Sequence, residues 1–423
     1  MTGGPGIRFI VLNVLSLTPQ NAQVLTALVI KSEQFLLSSC RSVGVSLFGE
    51  APRRHTCKGE LENRVMESFL ERCRAAGPRI LLAIAVSLGV TTEARTEDSS
   101  EQFRLMTFNI LQGGGRAANV GFPNSAYGGS RIDEIAAVIR LAHADVVGVQ
   151  EDARGEQLLR ALGKGWNRAG NVYSRFPMRL LRQTSGMTSC EVDRPIGEGR
   201  SQTVLILNVH WSPSNYGPFL MQEKLLNDGV PTDRKRFVMD ILKRSDRSRG
   251  PRGIDATLSA VNELLKLGHP LFITGDFNEP SHLDWSRRFE SRGEDRWVEN
   301  PTAIPLRFEV PWPGSIRLFD AGMSDAYRQM HPSETDHPGN TWTPPYPNDA
   351  PGRRPYNAQS IAGKPVPLNQ VLDRIDRIYF FRKYATISKC SVVGESKETS
   401  DLVFKDRWPS DHRAVIADFE MIP

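Results

Sequence analysis

From residue 103 onward, short apolar runs alternate with stretches whose apolar residues recur at helical spacing. FRLMTFNIL (103–111), ADVVGVQED (144–152), TVLILNVHW (203–211) and LFITGDFN (271–278) each run apolar or β-branched and then meet polar side chains. RIDRIYFF (374–381), ATISKCSVV (385–393) and AVIADFEM (414–421) continue the strand pattern. Between them, Arg131–Leu141 carries Ile132, Ile135, Ala136 and Ile139 on one helical face. Helices are also predicted over Asp233–Lys243 and Ile254–Leu267. Apolar strands mixed with helices that cover them predict a layered α/β domain with helices outside sheets. No internal repeat at a fixed period is visible.

Two segments break this pattern. Residues 212–232 and 286–365 are rich in Pro, Gly, Trp and Tyr and show little periodicity. Stretches of that length without elements of their own are uncommon unless they serve a function or are disordered. Their aromatic content argues for order, so they are expected to form the walls of a pocket.

Composition changes little in this picture. The chain has 423 residues, 39% hydrophobic and 24% charged, which is ordinary for a globular protein. Its 53 basic and 48 acidic residues leave +5, too small an excess to require a nucleic-acid partner by itself.

The N-terminal region changes more. Arg72, Arg74 and Arg79 precede an apolar run from Ile80 to Val90, and small residues follow up to Ala94. A basic region, a short apolar core and a small-x-small site describe a secretory signal peptide over 66–94. The run is shorter than the roughly 20 residues a membrane span needs, so no stable membrane anchor is expected. Residues 1–65 have no clear period and are read as a doubtful extension upstream of a start at Met66. The exported chain, secreted or periplasmic, is then expected to carry one domain over 100–421. It keeps Cys190 and Cys390, which either form one disulfide or stay as two buried thiols.

Polar residues gather at the ends of the apolar runs. Asn109, Glu151 and His210 end the first three strands, Asp276 and Asn278 the fourth. Asp373 and Asp376 flank the start of another, and Asp411-His412 precedes the last. Each alone is ordinary turn or cap chemistry. Together they are a set dominated by oxygen ligands with no thiolate, which suits Mg²⁺, Mn²⁺ or Ca²⁺ rather than structural zinc.

In order along the chain stand TFNI (107–110), VQE (149–151), YSRFP (173–177), NVHW (208–211), GDFN (275–278), RIDRIYF (374–380) and SDH (410–412). This series resembles the endonuclease/exonuclease/phosphatase superfamily, whose members include relatives of deoxyribonuclease I, sphingomyelinases and inositol polyphosphate 5-phosphatases. The likeness spans roughly residues 103–421. It implies a four-layered α/β sandwich and an exported, divalent-metal-dependent phosphoesterase.

The roles follow position by position from the resemblance. Glu151 corresponds to the main metal carboxylate, Asn109 to a nearby polar ligand or phosphate contact, and Asp411 to a metal-side carboxylate. Asp276 corresponds to the residue that orients or deprotonates the attacking water, and Asn278 to its neighbour on the phosphate. His412 corresponds to the histidine on the scissile phosphate, oriented by Asp376. His210 corresponds to a second histidine that stabilises the phosphate or protonates the leaving oxygen.

The substrate stays open. Apurinic-site endonucleases of the superfamily typically carry a tyrosine-containing segment where this chain has NVHW, which with the export signal argues against intracellular DNA repair. Secreted nucleases on DNA or RNA, sphingomyelinase-like lipases and inositol-phosphate or other phosphatases remain. The basic segment 233–253 either contacts a polyanion or is a solvated charged face. Trp211, Tyr216, Trp312 and Trp342 either stack on substrate or pack the rim. Asp325 reads as a cap, and Asn340 or Trp342 as a substrate contact on the pocket side. A degenerate, non-catalytic phosphate-binding member is the competing class, but no expected carboxylate or histidine is missing.

Overall fold

The computed structural model describes residues 102–115, 129–246, 250–297, 300, 302–342, 358–361, 364–367 and 371–422. The expected extension (1–65) and signal peptide (66–94) lie outside the described residues. Among the described residues, no helix is long and apolar enough to cross a membrane.

The chain begins with β1 (Gln102–Asn109), α1 (Ile132–Leu141), β2 (Val146–Gln150) and α2 (Gly155–Leu162). Five strands follow: β3 (Asn167–Ala169), β4 (Val172–Ser174), β5 (Met178–Gln183), β6 (Met187–Pro195) and β7 (Ser201–His210). Then come α3 (Gly217–Asp228), α4 (Arg234–Arg244), α5 (Ile254–Leu265), β8 (Leu271–Asp276), α6 (Arg287–Arg292), α7 (Pro313–Asp320), β9 (Met323–Asp325) and α8 (Ala326–Met330). The C-terminal part holds β10 (Ala358–Ile361), β11 (Lys364–Pro367), β12 (Asp376–Phe381), β13 (Ala385–Gly394), β14 (Leu402–Val403) and β15 (Ala414–Met421).

Two mixed sheets carry the architecture. One runs β14-β13-β15-β1-β2-β4-β3 and the other β5-β6-β7-β8-β12-β9, while β10 and β11 form a separate hairpin. The two large sheets pack face to face: Phe103, Leu105, Val415, Ala417 and Phe419 of the first meet Val204, Ile206, Phe272, Ile378 and Phe380 of the second. Phe272 lies at the centre, with ring centroids 4.8 Å from Phe419 and 5.3 Å from Phe103. Truncating such a ring costs about 3–5 kcal/mol. On the outer side of the first sheet, Met106, Val147 and Val149 are covered by Ile132, Ile135 and Ile139 of α1 and Leu158 of α2. On the outer side of the second, Leu205, Leu207 and Ile273 are covered by Val261 and Leu264 of α5. Helix, sheet, sheet and helix make the expected four-layered α/β sandwich. Its central strands β2 and β8 are buried at every position, which is why they read as unbroken apolar runs.

The two aperiodic segments are more helical than their pattern predicts. Residues 212–232 contain α3, and 286–342 contain α6, α7, β9 and α8. Helix α3 buries Phe219, Leu220, Met221, Gln222 and Leu225, so it has no single apolar stripe to read. The hairpins β3–β6 and helix α2 were also invisible to periodicity: β5 is a half-exposed edge strand and β3 and β4 have three residues each. Cys190 and Cys390 are both buried free thiols in the inter-sheet core. Burial pushes the Cys190 thiol up to about 12.

Candidate active site

Strand register builds the site. Parallel pairing sets His210 of β7 opposite Asp276 of β8, and antiparallel pairing sets Asp276 opposite Asp376 of β12. Three candidate side chains therefore stand in one row across neighbouring strands, which lie about 4.8 Å apart. The first sheet supplies Asn109 at the end of β1 and Glu151 one residue beyond β2. Glu151 and Asn278 adopt left-handed backbone angles (φ +60° and +45°). Such conformations cost of order 1 kcal/mol or more and persist where surrounding structure enforces them.

The Gly-Asp-Phe-Asn turn shows how. Phe277 is fully buried, 5.0 Å from the Trp211 ring and 5.3 Å from Tyr379, so the chain must reverse with its polar side chains outward. Asp276 Oδ1 then accepts from the Asn278 backbone N–H (2.8 Å), and Oδ2 accepts from Asn278 Nδ2 (3.1 Å) and Asn109 Nδ2 (3.0 Å).

His412 reaches this row from the other sheet. Its Nδ1 lies 2.9 Å from Asp376 Oδ2, and its Nε2 lies 3.9 Å from both Asp276 Oδ2 and Asp411 Oδ1. Thr341 Oγ1 accepts from the backbone of Ile375 and Asp376, each at 3.1 Å. Ser410 Oγ donates to Asn109 O (2.7 Å) and accepts from His412 N (3.2 Å). Buried Arg131 donates to Leu111 O (2.6 Å), Gly115 O (2.8 Å) and Pro409 O, tying the loop after β1 to the loop before β15.

Beneath the site the sheets are bonded to each other by buried polar side chains. Gln150 Nε2 and Thr274 Oγ1 both donate to Asn208 Oδ1, at 2.7 and 2.9 Å, and Asn208 Nδ2 donates to Val149 O at 2.8 Å. Gln150 Nε2 also reaches Thr107 Oγ1 at 3.1 Å. A side chain on Gly148 would collide with Thr274 and Asn208, so only glycine lets this network close.

Electrostatics separate the titratable groups. Burial pushes the Asp276 carboxyl up to about 7, opposed by His412. Burial also works against charge on His412, but Asp376, Asp411 and Asp276 outweigh it and lift that imidazole to about 10. Burial pulls His210 down to about 4, with Glu151 opposing and Arg252 assisting. The site thus holds one cationic histidine, one neutral histidine and one carboxyl poised near neutrality, an arrangement suited to acid–base work.

Glu151, His210, Asp276, Asn278, Asp411 and His412 line one cavity of about 330 Å³, with Tyr216, Phe219, Leu220 and Trp342 on its apolar side. Asn109 and Asp376 are fully buried just behind its polar wall. The donor chemistry fits a hard divalent cation. Burial raises the Asp411 carboxyl; His412 opposes this, and the Glu151 charge adds to it, so two carboxylates crowd one space. A cation would relieve that repulsion, and Glu151 Oε2 is already aimed by the Gln112 N–H at 2.7 Å. Asp276, Asp376 and His412 also offer ligand atoms within 4.8 Å of one another. There, however, the His412 Nδ1 is already engaged by Asp376, and the surrounding carboxylates favour the protonated ring. Asn109 is oriented by the Leu111 N–H, which binds its Oδ1 at 3.1 Å. Its amide nitrogen therefore faces Asp276 and Glu151, the latter at 3.4 Å.

Of the aromatic residues singled out by sequence, Trp211 and Trp312 are core, Trp211 donating to Thr257 Oγ1 at 3.0 Å. Tyr216 and Trp342 reach the cavity, ring to ring at 5.4 Å. Asp373 does more than start a strand: it accepts from Tyr216 Oη (2.6 Å) and Trp285 Nε1 (2.9 Å) and holds that aromatic wall. Asp325 caps α8 and pairs with Arg374 at 2.7 Å. Asn340 accepts from Arg296 at 3.1 Å. The basic helix α4 exposes its charges, with Arg234 on Glu290 and Arg244 on Glu223. Arg252, in the same segment, instead sits on His210, with Nη2 3.2 Å from Nδ1. Neither Arg252, Arg131, Thr341 nor the inter-sheet network was foreseen; the only signal was polar residues inside apolar strands (Thr107, Gln150, Asn208, Thr274).

The sequence profile described as the Endonuclease/Exonuclease/phosphatase family matches residues 106–412. The chain is 25% identical over 356 residues to the uncharacterized protein F14F9.5 of Caenorhabditis elegans, covering 81% of this chain and 99% of that one. Among solved structures, the endonuclease/exonuclease/phosphatase from Beutenbergia cavernae aligns with 17% identity over 76% of this chain and 72% of that one, TM-score 0.36. The 3'-5' exonuclease NExo from Neisseria meningitidis aligns with 16% identity over 75% and 100%, TM-score 0.39.

Proposed function

The chain belongs to the endonuclease/exonuclease/phosphatase family of phosphoester hydrolases, and from that premise we propose that it is an exported, divalent-metal-dependent phosphoesterase acting through an activated water. The observation that carries this reading is the convergence of Asp276, His210, His412 and the Glu151–Asp411 carboxylates on one cavity. Glu151 and Asp411 would hold Mg²⁺ or Mn²⁺, which when bound supplies positive charge to the phosphoryl oxygens and sharpens the nucleophile.

The chain's own residues do the rest. Asp276, held near neutrality and fixed by Asn109 and Asn278, orients the water and takes its proton. His412, kept cationic by Asp376, binds a phosphoryl oxygen where negative charge develops. His210 presents Nε2 to the same space, 3.6 Å from Asp276 Oδ2. Asn278 donates to Trp211 O (3.1 Å) and so stays seated beside the base.

The test is hydrolysis of bis-p-nitrophenyl phosphate with Mg²⁺ or Mn²⁺. Activity abolished by EDTA and by combined Asp276→Asn, His210→Ala and His412→Ala is expected; wild-type rates in that triple variant would sink the assignment. A panel of DNA, RNA, sphingomyelin, inositol phosphates and phosphomonoesters distinguishes nuclease, lipase and phosphatase. N-terminal sequencing of the exported chain tests the signal peptide.

A further inference from the structure

Arg252 packs against His210 on the side of Nδ1. Its Nε donates to His210 O at 3.1 Å, and its Nη2 donates to Trp211 O at 3.2 Å while lying 3.2 Å from His210 Nδ1. The arm is anchored at its root, because Arg252 O accepts from Ser212 N at 3.0 Å. Gly186 makes room for it: a methyl there would lie 2.5 Å from Arg252 Cγ. The charged and titratable groups around the imidazole are Glu151, Arg252, Asp276, Asp376 and His412.

A guanidinium carries donors and no acceptor, and it stays protonated. The ring nitrogen facing it must therefore present a lone pair. We infer that Arg252 is a positioning residue that fixes His210 as the neutral Nε2–H tautomer, a standing hydrogen-bond donor to a phosphoryl or leaving oxygen and not a source of a full proton. His412 is the opposite case, since its Nδ1 faces the Asp376 carboxylate. One ring nitrogen thus faces an acceptor, the Asp376 carboxylate, and the other faces a donor, the Arg252 guanidinium. The catalytic consequence rests on the phosphoesterase reading; the tautomer does not.

The experiment uses the full chain with ¹⁵N-labelled histidines, the His210 resonances being assigned from their loss in His210→Gln. At neutral pH the wild-type ring is expected to show a protonated Nε2 and a bare Nδ1, and Arg252→Met to show mixed tautomers. Turnover of bis-p-nitrophenyl phosphate by Arg252→Met should fall about 10- to 100-fold with little change in KM. Arg252→Lys should recover most of it, because an ammonium also only donates. A wild-type ring protonated at Nδ1, or at both nitrogens, overturns the inference, as does Arg252→Met with unchanged spectra and turnover. If wild-type chain hydrolyses no ester, the spectra still decide the tautomer, so the two readings fail separately.

Discussion

Nδ1 of His412 lies 2.9 Å from Oδ2 of Asp376, and this hydrogen bond joins the loop before β15 in one sheet to the first residue of β12 in the other. The dyad therefore exists only when the two sheets are packed. Asp376→Asn keeps the shape and removes the charge that sustains the imidazolium. Turnover should fall by about 10²–10⁴ with a smaller change in KM, measured by steady-state kinetics alongside a thermal melt confirming the fold.

On the proposed assignment the same groups set the pH profile. Asp276, pushed up to about 7 by burial, is a base only above that range. His412 is raised to about 10 when the carboxylates outweigh burial, so it loses its proton only above that range. kcat/KM should rise as pH approaches 7 and fall beyond 10. In Asp376→Asn the alkaline limb should move to lower pH; an unmoved limb would remove His412 from the assignment.

Metal dependence separates two carboxylate groups. If Glu151 and Asp411 hold the ion, Glu151→Gln and Asp411→Asn should each weaken Mg²⁺ binding by about tenfold or more. Asp376→Asn should leave it nearly unchanged. Calorimetric titration of Mg²⁺ into each variant reads this without substrate, and the reverse ranking would move the ion to the Asp276, Asp376 and His412 cluster.

The inter-sheet network is structural as well as positional. Asn208→Leu would take the amide partner from Thr274 Oγ1 and Val149 O, while Gln150 Nε2 keeps Thr107 Oγ1 and Gly148 O. Each buried group left without a partner costs about 1–3 kcal/mol. The urea midpoint should fall accordingly with an unchanged slope.

A buried ion cluster predicts how acid unfolds the protein. Asp284 is fully buried between Arg328 (2.5 Å) and Arg374 (2.9 Å). Burial opposes its charge, yet Arg374 and Arg328 hold its carboxyl well below the usual carboxylate range. Because the folded-state value is depressed, this stabilisation is present above the unfolded value of about 3.9 and is lost as pH falls toward the folded one. Asp284→Asn should cost about 3–5 kcal/mol at neutral pH, and the gap to wild type should narrow in acid, as read by urea unfolding at both pH values.

Much of the candidate site was legible because its residues sit at local punctuation. An apolar run that ends in Asn109, in Glu151 or in Asp276 is visible within ten residues, and so is Asp411-His412 ahead of β15. The turn chemistry of Asp276 and Asn278 followed from Phe277 being too apolar to face water. Helix α3 was not legible, because a helix buried on several sides loses its stripe. Arg252 was not either, because it looked like one more basic residue in a solvated segment, and only the fold brings it against His210, with Gly186 leaving it room.

By itself the sequence determined the longer strands, three of the helices, a layered α/β arrangement and the types of group available for chemistry, since periodicity and strand-end polarity are written within short windows; the four-layered form followed from the family resemblance. The tertiary structure decided which of those groups meet. The row of His210, Asp276 and Asp376 depends on β7, β8 and β12 being neighbours in a given direction and register. His412 owes its charge to an aspartate 36 residues away, and His210 its neutrality chiefly to burial, with an arginine 42 residues away on its Nδ1. Such pairings are set by sheet packing and burial, which no local pattern records.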